Sequence, residues 1–297
     1  MPETITLRAA AKLNLFLRVR GRLERGFHEL ETIFHGVGLE DLVVLTQAPA
    51  GSIEVDVIGP ASVRAHVPAP ADNLVRIAAL RLAPLAKREA GATIVVTKSI
   101  PFGAGLAGGS ADAAATLVGL NELWQLELAP ESMLELAAAL GSDVPYCIEG
   151  GTVLAWGRGT HLTRLPEPPA MWFVLGMSDR PLLTGEVFAA WDDVGETAPV
   201  SADGLVTALA GGDLAEIAGH LHNDLYGPAL SIRPEIEGGL GALLDAGAVG
   251  AGMSGSGPTV FGIAGGEQEA LDIARSVGKV FSRVEVRASA PIGVTRM

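Results

Sequence analysis

Cysteine is almost missing from this 297-residue chain: Cys147 stands alone. One thiol cannot close an intrachain disulfide or build a multi-cysteine zinc site, so the fold must rest on its core. A reducing, cytoplasmic setting is expected. Positive charge is also short. Lys and Arg together number 21 against 34 Asp and Glu, a net charge of −13. That balance excludes a basic coat for nucleic acid or a membrane surface, and an anionic substrate then needs a local basic pocket. Lysine is the scarcer base, present only as Lys12, Lys87, Lys98 and Lys279. A long apolar run is missing too. Residues 246–266 carry no charge, but their glycines and Pro258 make a membrane helix a poor reading. Residues 1–10 hold no continuous apolar stretch, so no secretory signal is expected. What remains is a chain with 48% hydrophobic and 19% charged residues, enough to bury one large or two ordinary cores.

Glycine is what the chain has in quantity, and it is concentrated where it matters. Pro101-Phe102-Gly103-Ala104-Gly105-Leu106-Ala107-Gly108-Gly109-Ser110 lies between an apolar strand-like run, residues 93–96, and an alanine-rich helical segment, residues 111–124. Each glycine would cost about 1 kcal/mol in a helix interior. In a turn that opens onto a helix, glycines let bare N–H groups and the positive end of the helix dipole converge on one spot, which favours phosphate. Ser110 can cap the helix or turn its hydroxyl toward a phosphate or metal. A tight strand-to-helix turn with no ligand fits the glycines equally well. No lysine follows them as in a P-loop, and the Gly-x-Gly-x-x-Gly match lacks the context of a dinucleotide site.

Along the chain, residues 4–21 read as a strand. Period two places Leu13, Leu15, Leu17 and Val19 on one face and Lys12, Asn14, Phe16 and Arg18 on the other. Residues 42–46 and 53–58 read as strands joined in a hairpin. Residues 73–90 read as a helix with a possible kink at Pro84, and residues 130–140 as another, ended by Gly141. Pro145 pushes Val144 toward extended backbone, which leaves Asp143 on a short turn. Residues 152–156 and 161–165 flank Gly157-Arg158-Gly159 as a hairpin. Pro166-Glu167-Pro168-Pro169 marks the expected domain break. Residues 184–191 read as a helix capped by Thr184. Strands at residues 171–176 and 284–288, helices at 234–246 and 267–278, and a unit at 250–264 of strand, glycine loop and then strand or helix complete an α+β pattern.

Three stretches together carry a resemblance. Ala11-Lys12-Leu13-Asn14-Leu15-Phe16-Leu17, the loop from Pro101 to Ser110, and Gly252-Met253-Ser254-Gly255-Ser256-Gly257 resemble the three motifs of the GHMP kinases. Gly26-Phe27-His28-Glu29-Leu30, Gly141-Ser142-Asp143-Val144-Pro145 and Gly157-Arg158-Gly159 narrow it to the 4-diphosphocytidyl-2-C-methyl-D-erythritol kinase family. The resemblance implies two α+β domains, residues 1–165 and 166–297, with the active site in the cleft between them. It implies transfer of the γ-phosphoryl group of ATP, with Mg2+, to the 2-hydroxyl of a cytidylylated sugar alcohol. Lys12 and Asp143 match the catalytic places. Lys98, Pro101, Phe102, Gly103, Ala104, Gly105, Leu106, Ala107, Gly108, Gly109, Ser110 and Ala111 match the ATP site, and Asn14, Phe27, His28, Thr184 and Phe188 the substrate side. Phe27 and Phe188 are expected to sandwich the cytosine while His28 reads its edge. Metal ligands and oligomeric state stay open, and neither nucleic acid nor a membrane is expected as a partner. Three positions depart from the pattern: Phe27 replaces a common tyrosine, Ala107 a loop glycine and Ala111 a second serine. Another GHMP kinase, acting on homoserine or mevalonate, or a binding protein without catalysis are the alternatives.

Chemistry agrees with those places without deciding them. A carboxylate near a hydroxyl serves as base or orienting acceptor, and a lysine offsets phosphate charge. On residues alone the plainer readings are favoured: Asp143 as a solvated loop aspartate, Lys12 as a surface lysine and His28 as a loop histidine. Cys147 is expected to be buried and inert.

Overall fold

The computed structural model describes residues 3–60, 63, 65–86, 90–195 and 199–297. Its backbone is a long antiparallel pair, β1 (Thr4–Arg22) and β2 (His28–Gln47), turned by a short 3-10 segment, Glu24–Gly26. This pair runs through every core of the molecule. Ile5 and Leu7 with Val43 and Leu45 belong to the first core, Leu13, Leu15 and Ile33 to a second, and Leu17 and Val19 to a third. A register shift between Asn14 and Phe16 makes Leu15 an extra residue, a bulge. The bulge takes Phe16 out of the row expected from strict alternation. Phe16 packs with Leu13 and Leu15, while Lys12 and Asn14 stay together.

The first sheet has the order β12-β1-β2-β4-β3, where β3 is Ile53–Ile58, β4 Ala92–Thr97 and β12 Val294–Arg296. β2 and β3 are not a hairpin. β4 lies between them, antiparallel to β2 and parallel to β3. The residues between β2 and β3 turn the chain, but turn residues do not choose the pairing partner. β5 (Thr152–Gly157) extends the sheet beside β2 and forms the expected hairpin with β6 (His161–Arg164). Against this sheet pack α1 (Leu74–Leu82), α2 (Gly108–Leu123), α3 (Pro130–Leu140) and α4 (Val144–Glu149). Asn73 caps α1 by accepting from the Val75 and Arg76 amides, and a 3-10 turn at Ala83–Leu85 carries Pro84 where the kink was expected. Residues 87–89, in the expected last turn of that helix, lie outside the described residues. Val144 is helical rather than extended. Pro145 sits in the first turn of α4, where its missing N–H has no intrahelical acceptor to lose.

The second sheet has the order β11-β7-β10-β9, all antiparallel: β7 is Trp172–Met177, β9 Gly250–Met253, β10 Val260–Ala264 and β11 Arg283–Ala288. Its helices are α5 (Thr184–Val194), α6 (Asp203–Gly211), α7 (Leu214–Gly219), α8 (Tyr226–Ile232), α9 (Glu235–Asp245) and α10 (Glu267–Val277). A two-residue strand between α7 and α8, β8 (His222–Asn223), pairs in parallel with β1. The second core is shared: Leu13 and Leu15 of β1 meet Phe173, Leu175 and Phe261 of the second sheet. His35 ties the same seam. Its ring bonds Thr152 Oγ1 at 2.9 Å and Ser289 Oγ at 2.8 Å, and burial pushes it down to a pKa of about 4. Two α+β lobes thus share one long hairpin, with a cleft where they meet. No described helix is long and apolar enough to cross a membrane.

Candidate active site

The glycine loop leaves β4 and enters α2 at the mouth of the cleft. The helix begins at Gly108, and Ala107 holds the N-cap position at φ 57°. Ser110 therefore lies inside the first turn and does not cap. An alanine in the left-handed region is strained by about 1–2 kcal/mol, and Ala107 is one of the departures from the family's glycines. Three neighbours clamp the loop. The Lys12 amide donates to the Leu106 carbonyl, the Leu182 amide to Gly103, and Ser254 Oγ donates to the Gly105 carbonyl at 2.9 Å. Gly105, at φ 76°, needs to be glycine for a further reason: a Cβ there would run into the Ser254 carbonyl. The small residues of the Gly252 to Gly257 motif accordingly press against the first glycine loop. Asn223 braces that motif from behind, donating to the Met253 and Gly255 carbonyls, both at 2.8 Å.

Lys12 reaches into the cleft from β1. Its Nζ donates to Asn14 Oδ1 at 2.6 Å and to the Gly105 carbonyl at 2.7 Å. Asn14 is fixed in turn by donating to Thr32 Oγ1. Asp143, at the N-cap of α4, puts a carboxylate oxygen 4.0 Å from Lys12 Nζ, close enough for charge and too far for a hydrogen bond. Desolvation is the largest influence on Lys12 and lowers its pKa, and Asp143 only partly opposes this. The result is a buried ammonium whose contacts are neutral oxygens, beside a carboxylate that is 34% exposed.

Two cavities meet at that carboxylate. One, of about 330 Å3, is lined by the glycine loop, Lys12 and Asn14. The other, of about 420 Å3, is lined by Phe27, His28, Arg158 and Asp192. Ser110, Asp143, Thr184 and Phe188 belong to both walls. A third cavity, about 380 Å3, lies on the other side of Pro101 and Phe102 and carries His66, Ser99 and Arg283. Pro101 to Gly105 and Ala107 to Ser110 therefore face the first cavity. Leu106 and Ala111 do not: both are about 1% exposed and packed into cores. Ala111, where the family has a second serine, thus occupies an apolar seat.

Lys98 lines this third cavity, its Nζ 5.0 Å from the Phe102 ring centroid. It is buried beneath the loop, donating to Asp41 and Asp112, while Asp41 accepts from the Ser99 and Ile100 amides. The two carboxylates outweigh its desolvation and raise its pKa; burial drives Asp112 up as well. Neither aspartate was singled out from the sequence, because a pair separated along the chain leaves no local signal.

Thr184 is the first residue of α5 and not its cap, since Leu183 takes that place. Its hydroxyl shares a 3.0 Å hydrogen bond with Ser256, which links α5 to the third motif. The aromatic side differs from the expected sandwich. His28 stacks on Phe188 with centroids 4.5 Å apart, and its Nε2 bonds Asp192 at 2.8 Å. Phe27 has the Arg158 guanidinium over its ring at 3.5 Å. Cys147 is buried, its thiol pushed well up by desolvation.

Comparison with known proteins identifies the fold and the family. The GHMP kinases N terminal domain matches residues 73–151 and the GHMP kinases C terminal domain residues 205–283. A 4-diphosphocytidyl-2-C-methyl-D-erythritol kinase of Syntrophomonas wolfei is 40% identical over 272 residues, 91% of this chain and 93% of the relative. One of Nocardia farcinica is 40% identical over 302 residues, 100% of this chain and 97% of the relative. A crystal structure of 4-(cytidine 5'-diphospho)-2C-methyl-D-erythritol kinase superposes with a TM-score of 0.79 at 31% identity, over 96% of this chain and 99% of that one. Homoserine kinase from Cytophaga hutchinsonii has the same fold, with a TM-score of 0.75 at 23% identity, over 100% of this chain and 98% of that one. On the full-length identity and the two matched domains, this chain belongs to the 4-diphosphocytidyl-2-C-methyl-D-erythritol kinase family of the GHMP kinases.

Proposed function

We propose that the chain transfers the γ-phosphoryl group of ATP to the 2-hydroxyl of 4-diphosphocytidyl-2-C-methyl-D-erythritol, a step of non-mevalonate isoprenoid synthesis. The observation that carries the site assignment is the meeting of two cavities at Asp143, one walled by the glycine loop and the other by aromatic side chains. A donor and an acceptor entering from opposite sides would bring the reacting oxygen to that carboxylate. Asp143 accepts or orients the hydroxyl proton, and Lys12 offsets charge on the transferred group. The amides of the first turn of α2 hold the phosphates, and a Cβ at Gly109 would meet nothing within 4 Å, so the backbone there is open to a ligand. The third cavity, sharing Pro101 and Phe102 with the loop, takes the adenosine. Lys98 supports the loop from below.

Mg2+ belongs to this reading. Asp143, Ser110 and Thr184 carry the side-chain oxygens on the shared wall, and among the described residues no group of three or more His, Cys, Asp or Glu could cage an ion. That suits a metal which completes its shell with phosphate oxygens and water, and which when bound neutralises phosphate charge. The reading also divides the chain at residue 165 into domains 1–165 and 166–297, except that β8 and β12 return to the first sheet beside β1, and it puts the protein in the cytoplasm with its nucleotide. Net charge argues against nucleic acid and membrane surfaces as partners. The test is a phosphotransfer assay over a panel of alcohols: the cytidylylated methylerythritol, its uridine counterpart, methylerythritol phosphate, homoserine and mevalonate. Only the first should turn over at a high rate. Equal kcat/KM across the panel would reject the substrate assignment and leave a general small-molecule kinase.

A further inference from the structure

Among the described residues lining the aromatic cavity, His28 and Arg158 are not equivalently partnered. His28 is paired with Asp192, which also accepts from Arg22 Nε at 2.6 Å. Arg158 makes no ion pair and no hydrogen bond with any described residue, and its Nε is buried without a partner. It is nevertheless held in place. It sits at the tip of the β5–β6 hairpin between Gly157 and Gly159, both at positive φ, with its guanidinium 3.5 Å from the Phe27 ring centroid. Stacking on a ring spends the face of a guanidinium and leaves the in-plane N–H fork free. A fixed, unpaired fork in a chain of net charge −13 suits a planar pair of phosphate oxygens.

We propose that Arg158 determines specificity by gripping the diphosphate of the acceptor substrate, with Phe27 as its platform; this rests on the acceptor reading given above. The side of the site follows from the walls. Arg158 lines the aromatic cavity and not the cavity of the glycine loop, so it meets the acceptor's anion and not the nucleotide's phosphates. Phe27 then needs only its ring, which accounts for the missing tyrosine hydroxyl.

The experiment has two arms. In the first, KM and kcat are measured for the cytidylylated acceptor and for ATP in wild type, Arg158→Gln and Arg158→Lys. Loss of a bidentate charged contact predicts a rise in acceptor KM of about 10- to 100-fold in Arg158→Gln, with ATP KM within about twofold. Lysine should restore only part, since it keeps charge without the fork. In the second arm, cytidine and cytidine diphosphate are titrated calorimetrically into enzyme saturated with a non-hydrolysable ATP analogue. Wild type should prefer the diphosphate, and Arg158→Gln should lose that preference. An unchanged preference, or a rise in ATP KM instead of acceptor KM, overturns the proposal. Should wild type turn over none of the acceptor, the acceptor reading fails in the first arm, while the second still decides whether Arg158 holds a diphosphate. Thermal unfolding of each variant shows that a hairpin-tip change has left the fold intact.

Discussion

Two buried lysines flank the glycine loop, and their surroundings are opposite. Lys98, below it, is enclosed by two carboxylates that raise its pKa. Lys12, in front of it, touches an amide oxygen and a backbone carbonyl, has its nearest carboxylate at 4.0 Å, and is lowered by desolvation. Both are about 3% exposed. A lysine neutralised by two carboxylates keeps little attraction for a further anion and ties β2 and α2 together at the end of β4. An under-neutralised one keeps most of its attraction for an incoming anion. Burial is the same for the two; the charge balance around the buried group is what differs.

The largest effect that sharpens this contrast is on Lys98. Lys98→Met leaves two buried carboxylates facing each other, and breaking a buried ion cluster this way costs about 3–5 kcal/mol. Chemical denaturation should show that loss. Lys12→Met leaves only neutral acceptors unsatisfied and should cost about 1–2 kcal/mol. Equal losses for the two would break the comparison.

Catalysis should sort them the other way. Asp143→Asn and Lys12→Met are each expected to lower kcat by about 10²-fold or more while the protein still binds ATP. Turnover within a few-fold of wild type for either variant would remove that residue from the chemistry.

A smaller change probes the loop between the lysines. Gly108 is a poor choice, because a Cβ there would meet Ile100 Cγ2 at 2.8 Å and disturb the packing. Gly109 faces open space. Gly109→Val should weaken ATP binding by about tenfold through occupied volume with little change in melting temperature, given that each 1.4 kcal/mol is tenfold. Calorimetry with unchanged ATP affinity would show that the phosphates lie elsewhere.

The smallest effect is on pH. Activity that needs charged Lys12 should fall as pH rises through a value below the ordinary 10.5. Its stability term has the opposite sign. Between the lowered folded pKa and the unfolded value the unfolded chain binds more protons, so Lys12 makes the fold gain stability as pH rises. Kinetic profiles and melting curves of wild type against Lys12→Met should show the two trends diverging.

The parts of this arrangement that could be read from the chain were local ones. Period two put Lys12 beside Asn14, glycines marked the loop at the cleft mouth, and Gly157-Arg158-Gly159 marked a hairpin tip. The fold class and the family were legible from motifs in order. What escaped was decided across the sheet or between lobes. The Lys98, Asp41 and Asp112 cluster joins three elements, and no residue in it is unusual for its own segment. Most of β2 was missed because Glu29, Glu31, Thr32 and His35 break its apolar alternation, each having a partner on another element or solvent. Phe16 left its expected row because one bulge at Leu15 shifts the register. Thr184 looked like a cap because capping types are local, yet its hydroxyl was wanted by Ser256, far along the chain.

One further consequence lies in β12. Leu7, Arg8 and Ala9, among the first residues of the chain, are covered by Arg296, Thr295 and Val294, among the last. During synthesis the first lobe can assemble its helices and most of its sheet, but that outer edge of β1 stays bare until Val294 to Arg296 have been made. An uncovered strand edge is a template for any other extended chain. Closing so wide a loop costs entropy that grows only with the logarithm of its length, so the burden falls on the pace of folding and not on the finished stability. The hazard for this protein is therefore one of timing, and it is greatest in the crowded interval when many nascent copies carry an open first sheet.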